Sequence, residues 1–233
     1  IAAAAAGAGA IVISHVQFRS GRAYDLAALG AAARAAGALL IVDATQSLGA
    51  VPVRVAGGPH ILMASGYKWL CAGYGVGAVY VSPELQGAPP PVYGWRSAAV
   101  PYALHPDRIE AAETAVVLEM GHPPFAPVFA LGAALDHAAT VGEAAIWARI
   151  CALQSQLREG LAAAGLPAPT APAGESGIAA LPTSNGAEIK AKLAAEGILI
   201  SASTGRVRLS THAYNTAAEV ARAVEALARH WRD

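Results

Sequence analysis

The stretch AIVISHVQFRSGRAYDLAALGAAARAAGALLIVD, residues 10–43, decides the fold. Ala10-Ile11-Val12-Ile13-Ser14 is a short apolar run that stops at polar His15, the mark of a buried strand. Asp25 can cap a helix through about Ala36, with Leu26 and Leu29 on one face, and Gly37 ends it. Leu39-Leu40-Ile41-Val42 is a second buried strand, ending at Asp43. Strand, helix and strand in so short a span predict a right-handed βαβ unit with parallel strands. Ile61-Leu62-Met63-Ala64 and Val76 to Val81 supply a third and a fourth strand. Continuous apolar strands between helices imply a sheet covered on both faces.

Downstream, 87–106 and 121–127 read as Pro-rich loops. Helical spacing runs from about Val128 to Leu161, with a break near Gly142. Residues 165–177 read as a linker. A small α/β unit follows. Its first helix starts at Asn185 with Glu188 as a capping-box partner and buries Ile189 and Leu193. Strands come near Ile198–Ile200 and Val207–Leu209. Thr216 and Glu219 cap a last helix whose apolar face is Val220, Val224, Leu227 and Trp231. The expected division is 1–135 as part of a large domain, 136–165 as connecting helices and 166–233 as a small C-terminal α/β domain.

Composition narrows the function. Charged residues make up 14% of the 233 and the formal net charge is zero, which argues against a nucleic-acid binder or a polybasic membrane-surface protein. The uncharged start, Ile1 to Val16, is too short and too rich in Ala and Gly to span a bilayer, and it lacks the basic flank of a signal peptide. Two cysteines, Cys71 and Cys151, make neither a disulfide framework nor a zinc pattern. A soluble, cytoplasmic protein is expected, with no metal.

The polar positions gather just after strand ends: His15, then Asp43 with Gln46, then Ser65 with Lys68. In open α/β sheets that rim is where ligands bind. Only three of the 16 basic residues are lysines, and Lys68 stands apart from Lys190 and Lys192 in the apolar stretch Ser65-Gly66-Tyr67-Lys68-Trp69-Leu70. An arginine stays protonated, whereas a desolvated lysine amine can attack a carbonyl. A Schiff-base lysine with Asp43 as the carboxylate for a pyridinium nitrogen points to pyridoxal phosphate. Gln46 could bond the phenolic oxygen, and His15 could stack on or bond the ring. Small groups at Ser65 and Gly66 could approach a phosphate, and Arg208 could clamp a substrate carboxylate. Gly73-Tyr74-Gly75-Val76-Gly77 is not a dinucleotide fingerprint, because a strand follows it; it predicts a tight turn and close packing.

As a set, Ile13-Ser14-His15-Val16, Val42-Asp43-Ala44-Thr45-Gln46-Ser47, Ser65-Gly66-Tyr67-Lys68-Trp69-Leu70 and Arg208 with Tyr214-Asn215 resemble the class V aminotransferase-fold enzymes, the group with cysteine desulfurases, isopenicillin N epimerase-like proteins and kynureninases. The resemblance implies the type I fold of pyridoxal-phosphate enzymes: a mainly parallel sheet with helices on both faces, here an incomplete large domain, plus a small α/β domain. It implies Lys68 as the aldimine lysine, Asp43 at the pyridine nitrogen and Gln46 at the cofactor oxygen. It puts Ser65 at the phosphate and Tyr67 where many relatives carry a phosphate-binding histidine. Arg208 would hold the substrate carboxylate. His122 lies in the loop that in relatives reaches the neighbouring subunit's phosphate, usually with a threonine.

Two departures qualify what is expected. Cysteine desulfurases carry a nucleophilic cysteine shortly before the carboxylate-binding arginine; the interval Ser201 to Val207 has none. Relatives also place a phosphate-cradling loop and a ring-stacking residue ahead of the strand equivalent to Ile11–Ser14, and this chain starts too late to hold either. The expectation is an enzyme acting on an amino acid through a Cα carbanion, of aminotransferase class V type. A C–S or β-eliminating lyase or an epimerase of the same fold is the alternative, as is a non-catalytic or half-site subunit. The expected assembly is a homodimer, or a complex with a chain supplying the N-terminal half.

Overall fold

The computed structural model describes residues 7–231. It divides into two compact units, the first formed by residues 7–14, 25–45 and 54–135, the second by 15–24, 46–53 and 136–231.

The first unit is built on a four-stranded sheet in the order β1 (Ala10–Ser14), β2 (Leu39–Asp43), β3 (Ile61–Ser65), β4 (Gly77–Val81). The first three strands are parallel and β4 runs antiparallel to β3. Between β1 and β2 lies helix α1, Leu26–Ala35, whose first N–H groups at Ala27 and Ala28 are held by the Asp25 carboxylate at 2.9 and 3.0 Å. Side chains alternate across the sheet. Leu40, Val42, Leu62 and Ala64 fill one buried face, while Val12, Ile41, Asp43, Ile61, Met63, Ser65 and Val79 share the other. On that second face Val12 is 74%, Met63 41% and Val79 50% exposed. At the amino end of the sheet the ladder is completed by a side chain: buried His60 takes the Leu40 N–H on Nδ1 at 2.8 Å, and the His60 backbone N–H donates to the Leu40 carbonyl.

The long loop region after β4 carries four short 3-10 turns, Pro83–Leu85, Trp95–Ser97, Pro101–Ala103 and Ala115–Leu118. Helix α2 spans Phe125–Val141, starting three residues earlier than the sequence suggests, and Gly142 at φ +90° separates it from α3, Glu143–Ala163.

The second unit packs α3, α4 (Gly186–Ala195) and α5 (Ala217–His230) on one side of an antiparallel sheet in the order β5 (Ile178–Pro182), β7 (Arg206–Ser210), β6 (Ser201–Ser203). Its core joins Leu153, Leu157, Leu181, Ile189, Leu193, Val207 and Leu227. Thr216 and Glu219 form the expected reciprocal cap on α5, with the Thr216 N–H on the Glu219 carboxylate at 2.7 Å.

Three expectations need correction here. The strand placed at Ile198–Ile200 is Ser201–Ser203: Ile198 and Ile200 turn into the core and Leu199 is 87% exposed, so the apolar triplet is a packed approach and the ladder forms on the polar residues after it. Asn185 makes no side-chain cap on α4: its backbone lies at φ −100° and ψ 25°, outside the extended region of a capping residue, and its N–H donates to the Thr183 hydroxyl at 3.1 Å while Glu188 pairs along the helix with Lys192. The segment 165–177 is irregular but fastened: Arg158 holds the Ala171 and Pro172 carbonyls, Ser176 bonds the Gly21 carbonyl at 2.6 Å, and Glu175 accepts the Ala23 N–H. The strand β5 that follows it was not anticipated.

Candidate functional site

In the first unit the rim is set by register. β2 and β3 are hydrogen-bonded parallel neighbours with Asp43 opposite Met63, so Asp43 and the loop after Ser65 emerge at the same end of the sheet. Asp43 and Ser65 also lie on the same face. Thr45 then fastens the two loops. Its N–H donates to the Asp43 carboxylate at 2.8 Å, and its hydroxyl accepts the Ser65 N–H at 3.1 Å. The Ala44 N–H adds a bond to the Met63 carbonyl at 2.7 Å. Asp43 is exposed, with a carboxylate that one backbone donor orients.

The lysine loop is a closed turn. Gly66 receives the Ala72 N–H and gives its own to Val76, and the Cys71 N–H donates to the Lys68 carbonyl at 3.0 Å. Trp69 and Leu70 are buried beneath it, so the residues flanking Lys68 anchor the turn to the protein. Lys68 is half-buried, its Nζ 5.6 Å from the centroid of the Tyr67 ring, and Tyr67 stacks on Tyr74 at 4.7 Å. The glycine-rich run after it is a tight turn against β3: a Cβ at Gly77 would stand 2.6 Å from the Ala64 carbonyl oxygen, which only glycine avoids. His122 lies exposed in its loop, edge-on to Trp95 at 4.9 Å.

The second unit holds the other three expected residues. His15 is 6% exposed, and its Nδ1 is sealed from solvent with no hydrogen-bond partner; burial pushes its pKa below the usual histidine value. Gln46 is half-buried. Arg208 projects from β7, donating from Nη1 to the Phe18 carbonyl at 2.7 Å and from Nη2 to the Ser201 hydroxyl at 3.1 Å. Burial lowers its pKa, although a guanidinium stays charged in any ordinary solution. Tyr214 and Asn215 form the turn before α5: Asn215 accepts the His212 N–H at 2.8 Å and Tyr214 stacks on the His212 ring.

Sequence reasoning missed Thr45, Tyr74 and Arg206. The first two act through neighbours about 20 and seven positions from them and leave no local signal. Arg206 stands two residues before Arg208, and strand alternation would have placed both on one face.

A donor set of primary amine, carboxylate and serine hydroxyl, gathered on one rim beside a glycine turn, suits an aldehyde-bearing, phosphorylated pyridine. The amine meets the aldehyde, the carboxylate a ring N–H and the hydroxyl the phosphate.

The sequence model of the family "Aminotransferase class-V" matches residues 3–223. The uncharacterized aminotransferase YcbU of Bacillus subtilis is 28% identical over 221 residues, 93% of this chain and 58% of that protein. A kynureninase of Pseudomonas fluorescens is 36% identical over 99 residues, 41% of this chain and 24% of that protein. Among solved structures, a cysteine desulfurase from Thermococcus onnurineus NA1 superposes with a TM-score of 0.86 at 23% identity, over 98% of this chain and 61% of that one. The cystine C-S lyase C-DES, solved with its product cysteine persulfide, gives 0.83 at 22% identity, over 94% and 60%. These structures establish the fold, an α/β architecture with a mainly parallel sheet. The chain thus spans about three-fifths of the length of YcbU and of these structures.

Proposed function

This chain belongs to the class-V aminotransferase family, and from that premise we propose that it forms part of a pyridoxal-phosphate-dependent enzyme acting on an amino acid. The observation that carries the reading is the Thr45 bridge, which fixes Asp43 and the Ser65–Lys68 turn on one rim of adjacent parallel strands. When bound, pyridoxal phosphate supplies the electron sink that makes an amino acid's Cα–H bond acidic. Lys68 would hold the cofactor through its amine, and Asp43 would keep the pyridine nitrogen protonated. Ser65, with Tyr67 beside it, would hold the phosphate. Gln46 and His15 would serve as further polar contacts to the ring and its oxygen, and His122 as a contact offered from its loop. Arg208 would take the substrate carboxylate, presenting the N–H groups that Phe18 and Ser201 leave free. With substrate bound, the Lys68 amine would remove the Cα proton and return it, acting as base and then as acid.

Where the proton returns decides between transamination and epimerisation, and loss of a β-substituent makes a lyase. We favour the aminotransferase type, with the lyase as alternative. Sulfur transfer through a cysteine of this chain fits poorly: the β6–β7 turn that precedes Arg208 contains none, and burial pushes the Cys151 thiol up, away from the reactive thiolate. The proposed assembly is a homodimer, or a complex in which another polypeptide completes the cofactor site.

Borohydride reduction of the protein with pyridoxal phosphate, followed by peptide mapping, tests this reading. The expected result is a cofactor adduct on Lys68 alone, absent from Lys68→Ala, with turnover lost in the same variant. Label scattered over Lys190 and Lys192, or wild-type turnover by Lys68→Ala, would overturn it.

A further inference from the structure

In the second unit, Arg206 and Arg208 alternate on β7 with Val207 and Leu209, which are buried in the core. Both arginines therefore face away from the helices. Ser203 and Ser201 stand opposite them on β6, so two guanidiniums and two hydroxyls share one face of the ladder. The segment 15–24 lies against that face. Arg206 donates from Nη1 to the Arg19 carbonyl at 3.3 Å, Arg208 to the Phe18 carbonyl, and Arg19 itself reaches back to the Thr204 carbonyl at 3.3 Å.

The hydrogen bonds that these three cations donate end on neutral oxygens: the Thr204, Arg19 and Phe18 carbonyls and the Ser201 hydroxyl. Among the described residues no carboxylate pairs with Arg19, Arg206 or Arg208. The stems of Arg206 and Arg208 are sunk so far that both Nε atoms are sealed and unbonded, a desolvation that leaves the Nη groups as the working ends. Like charges set side by side, partly desolvated and without a counter-ion repel one another, and an anion relieves that cost. Two residues apart on a strand their Cα atoms are separated by about 7 Å. With hydrogen bonds of about 3 Å at each end, the pair spans two carboxylates on one short carbon chain.

We propose that Arg206 is a second anion-holding residue beside Arg208, and that the substrate class is an amino acid with an anionic side chain of the glutamate or aspartate type, or the matching dicarboxylic 2-oxo acid. It rests on the reading of Arg208 as the holder of the α-carboxylate. Arg206, with the Ser203 hydroxyl opposite it, receives the distal group and sets specificity. A site built to pair with a charged group rejects the analogue that lacks it, because its own cations are then left uncompensated.

The test is calorimetric titration of the full chain with L-glutamate and with L-norvaline, which has a methyl group where glutamate has its distal carboxylate. The wild-type protein is expected to bind glutamate at least about tenfold more tightly, the yield of one charge-assisted pair. Arg206→Gln should abolish that preference by weakening glutamate binding about tenfold, Arg206→Lys should keep part of it, and Arg208→Gln should weaken both ligands. Melting temperatures measured alongside separate lost contacts from lost folding. An unchanged glutamate-to-norvaline ratio in Arg206→Gln would overturn the inference and leave Arg206 as a tie for the Arg19 carbonyl; so would a wild-type protein that does not distinguish the two ligands. Arg206-dependent discrimination in a chain that gives no Lys68 adduct would sink the cofactor reading and leave this one standing.

Discussion

The two sheets of this protein are finished to different degrees. In the second unit the β5-β7-β6 sheet turns one face onto three helices, and Leu157, Leu181, Ile189, Leu193 and Leu227 are sealed completely. The other face carries two arginines and two serines beside Ile178 and Ala180 of β5, and both arginines are tied to the segment 15–24. In the first unit the β1–β4 sheet buries one face well but leaves Val12, Met63 and Val79 open on the other. Parallel sheets are ordinarily covered on both sides. The contrast shows where each unit keeps its stability: the second in a closed core, the first in one buried face and the ladder at its ends. It also shows that the open face carries Asp43 and Ser65, so the residues proposed to hold the cofactor and the uncovered apolar surface lie on one side of one sheet.

The largest effect is expected where the core is closed. Leu157→Ala should lower unfolding free energy by about 2–5 kcal/mol, the range for deleting a fully buried leucine. Chemical denaturation followed by circular dichroism measures it. A cost under 1 kcal/mol would mean that the second unit's core is looser than its burial indicates.

In the first unit the corresponding weak point is the end of the ladder. His60→Ala removes the acceptor of the buried Leu40 N–H, and the orphaned donor alone should cost about 1–3 kcal/mol. His60→Asn can restore an acceptor and should recover part of that loss. Equal stability of the two variants would show that His60 contributes only volume.

A third test is one of pH. Burial holds the His15 pKa below its ordinary 6.5, so the unfolded chain takes the proton first as pH falls. The stability contributed by neutral His15 is complete above pH 6.5 and is lost progressively as pH drops toward the folded-state value. In the second unit, Glu219, lowered chiefly by the Thr216 backbone N–H, and Glu196, lowered chiefly by its bond to His230, lose their contributions only below the ordinary carboxylate value of 4.5. Melting temperatures between pH 7.5 and 5.5 should therefore fall in the wild type and fall less in His15→Gln. Identical slopes would remove His15 as the cause.

Much of this was legible because apolar runs announce strands. β1 to β4, α1 and the caps at Asp25 and Thr216 follow from patterns within a few residues. What stayed hidden depends on pairing at a distance. β6 is Ser-Ala-Ser, with no apolar run to announce it, so the apolar triplet before it drew the strand three residues early. Thr45 earns its role from Ser65, 20 positions away, and no local window contains that partner; the Arg19 carbonyl that Arg206 holds lies 187 positions away, although the alternation that sets Arg206 beside Arg208 is local.

The smallest expected change in stability is the one that most directly probes the open face. Val12→Thr and Val79→Thr keep β-branched side chains on their strands and exchange one exposed methyl for a hydroxyl. Neither residue has a packed environment to lose, so each should shift unfolding free energy by no more than about 0.5 kcal/mol. The same exchange makes the face more polar, and an open apolar face promotes association. The double variant should therefore show weaker self-association in sedimentation and less binding of a hydrophobic dye, at nearly unchanged stability. A loss of several kcal/mol, approaching that of Leu157→Ala, would mean that something covers this face in solution. The contrast between the two sheets would then describe the isolated chain and not the protein as it associates. Because Asp43 and Ser65 stand on that face, whatever covers it would also wall the proposed cofactor rim.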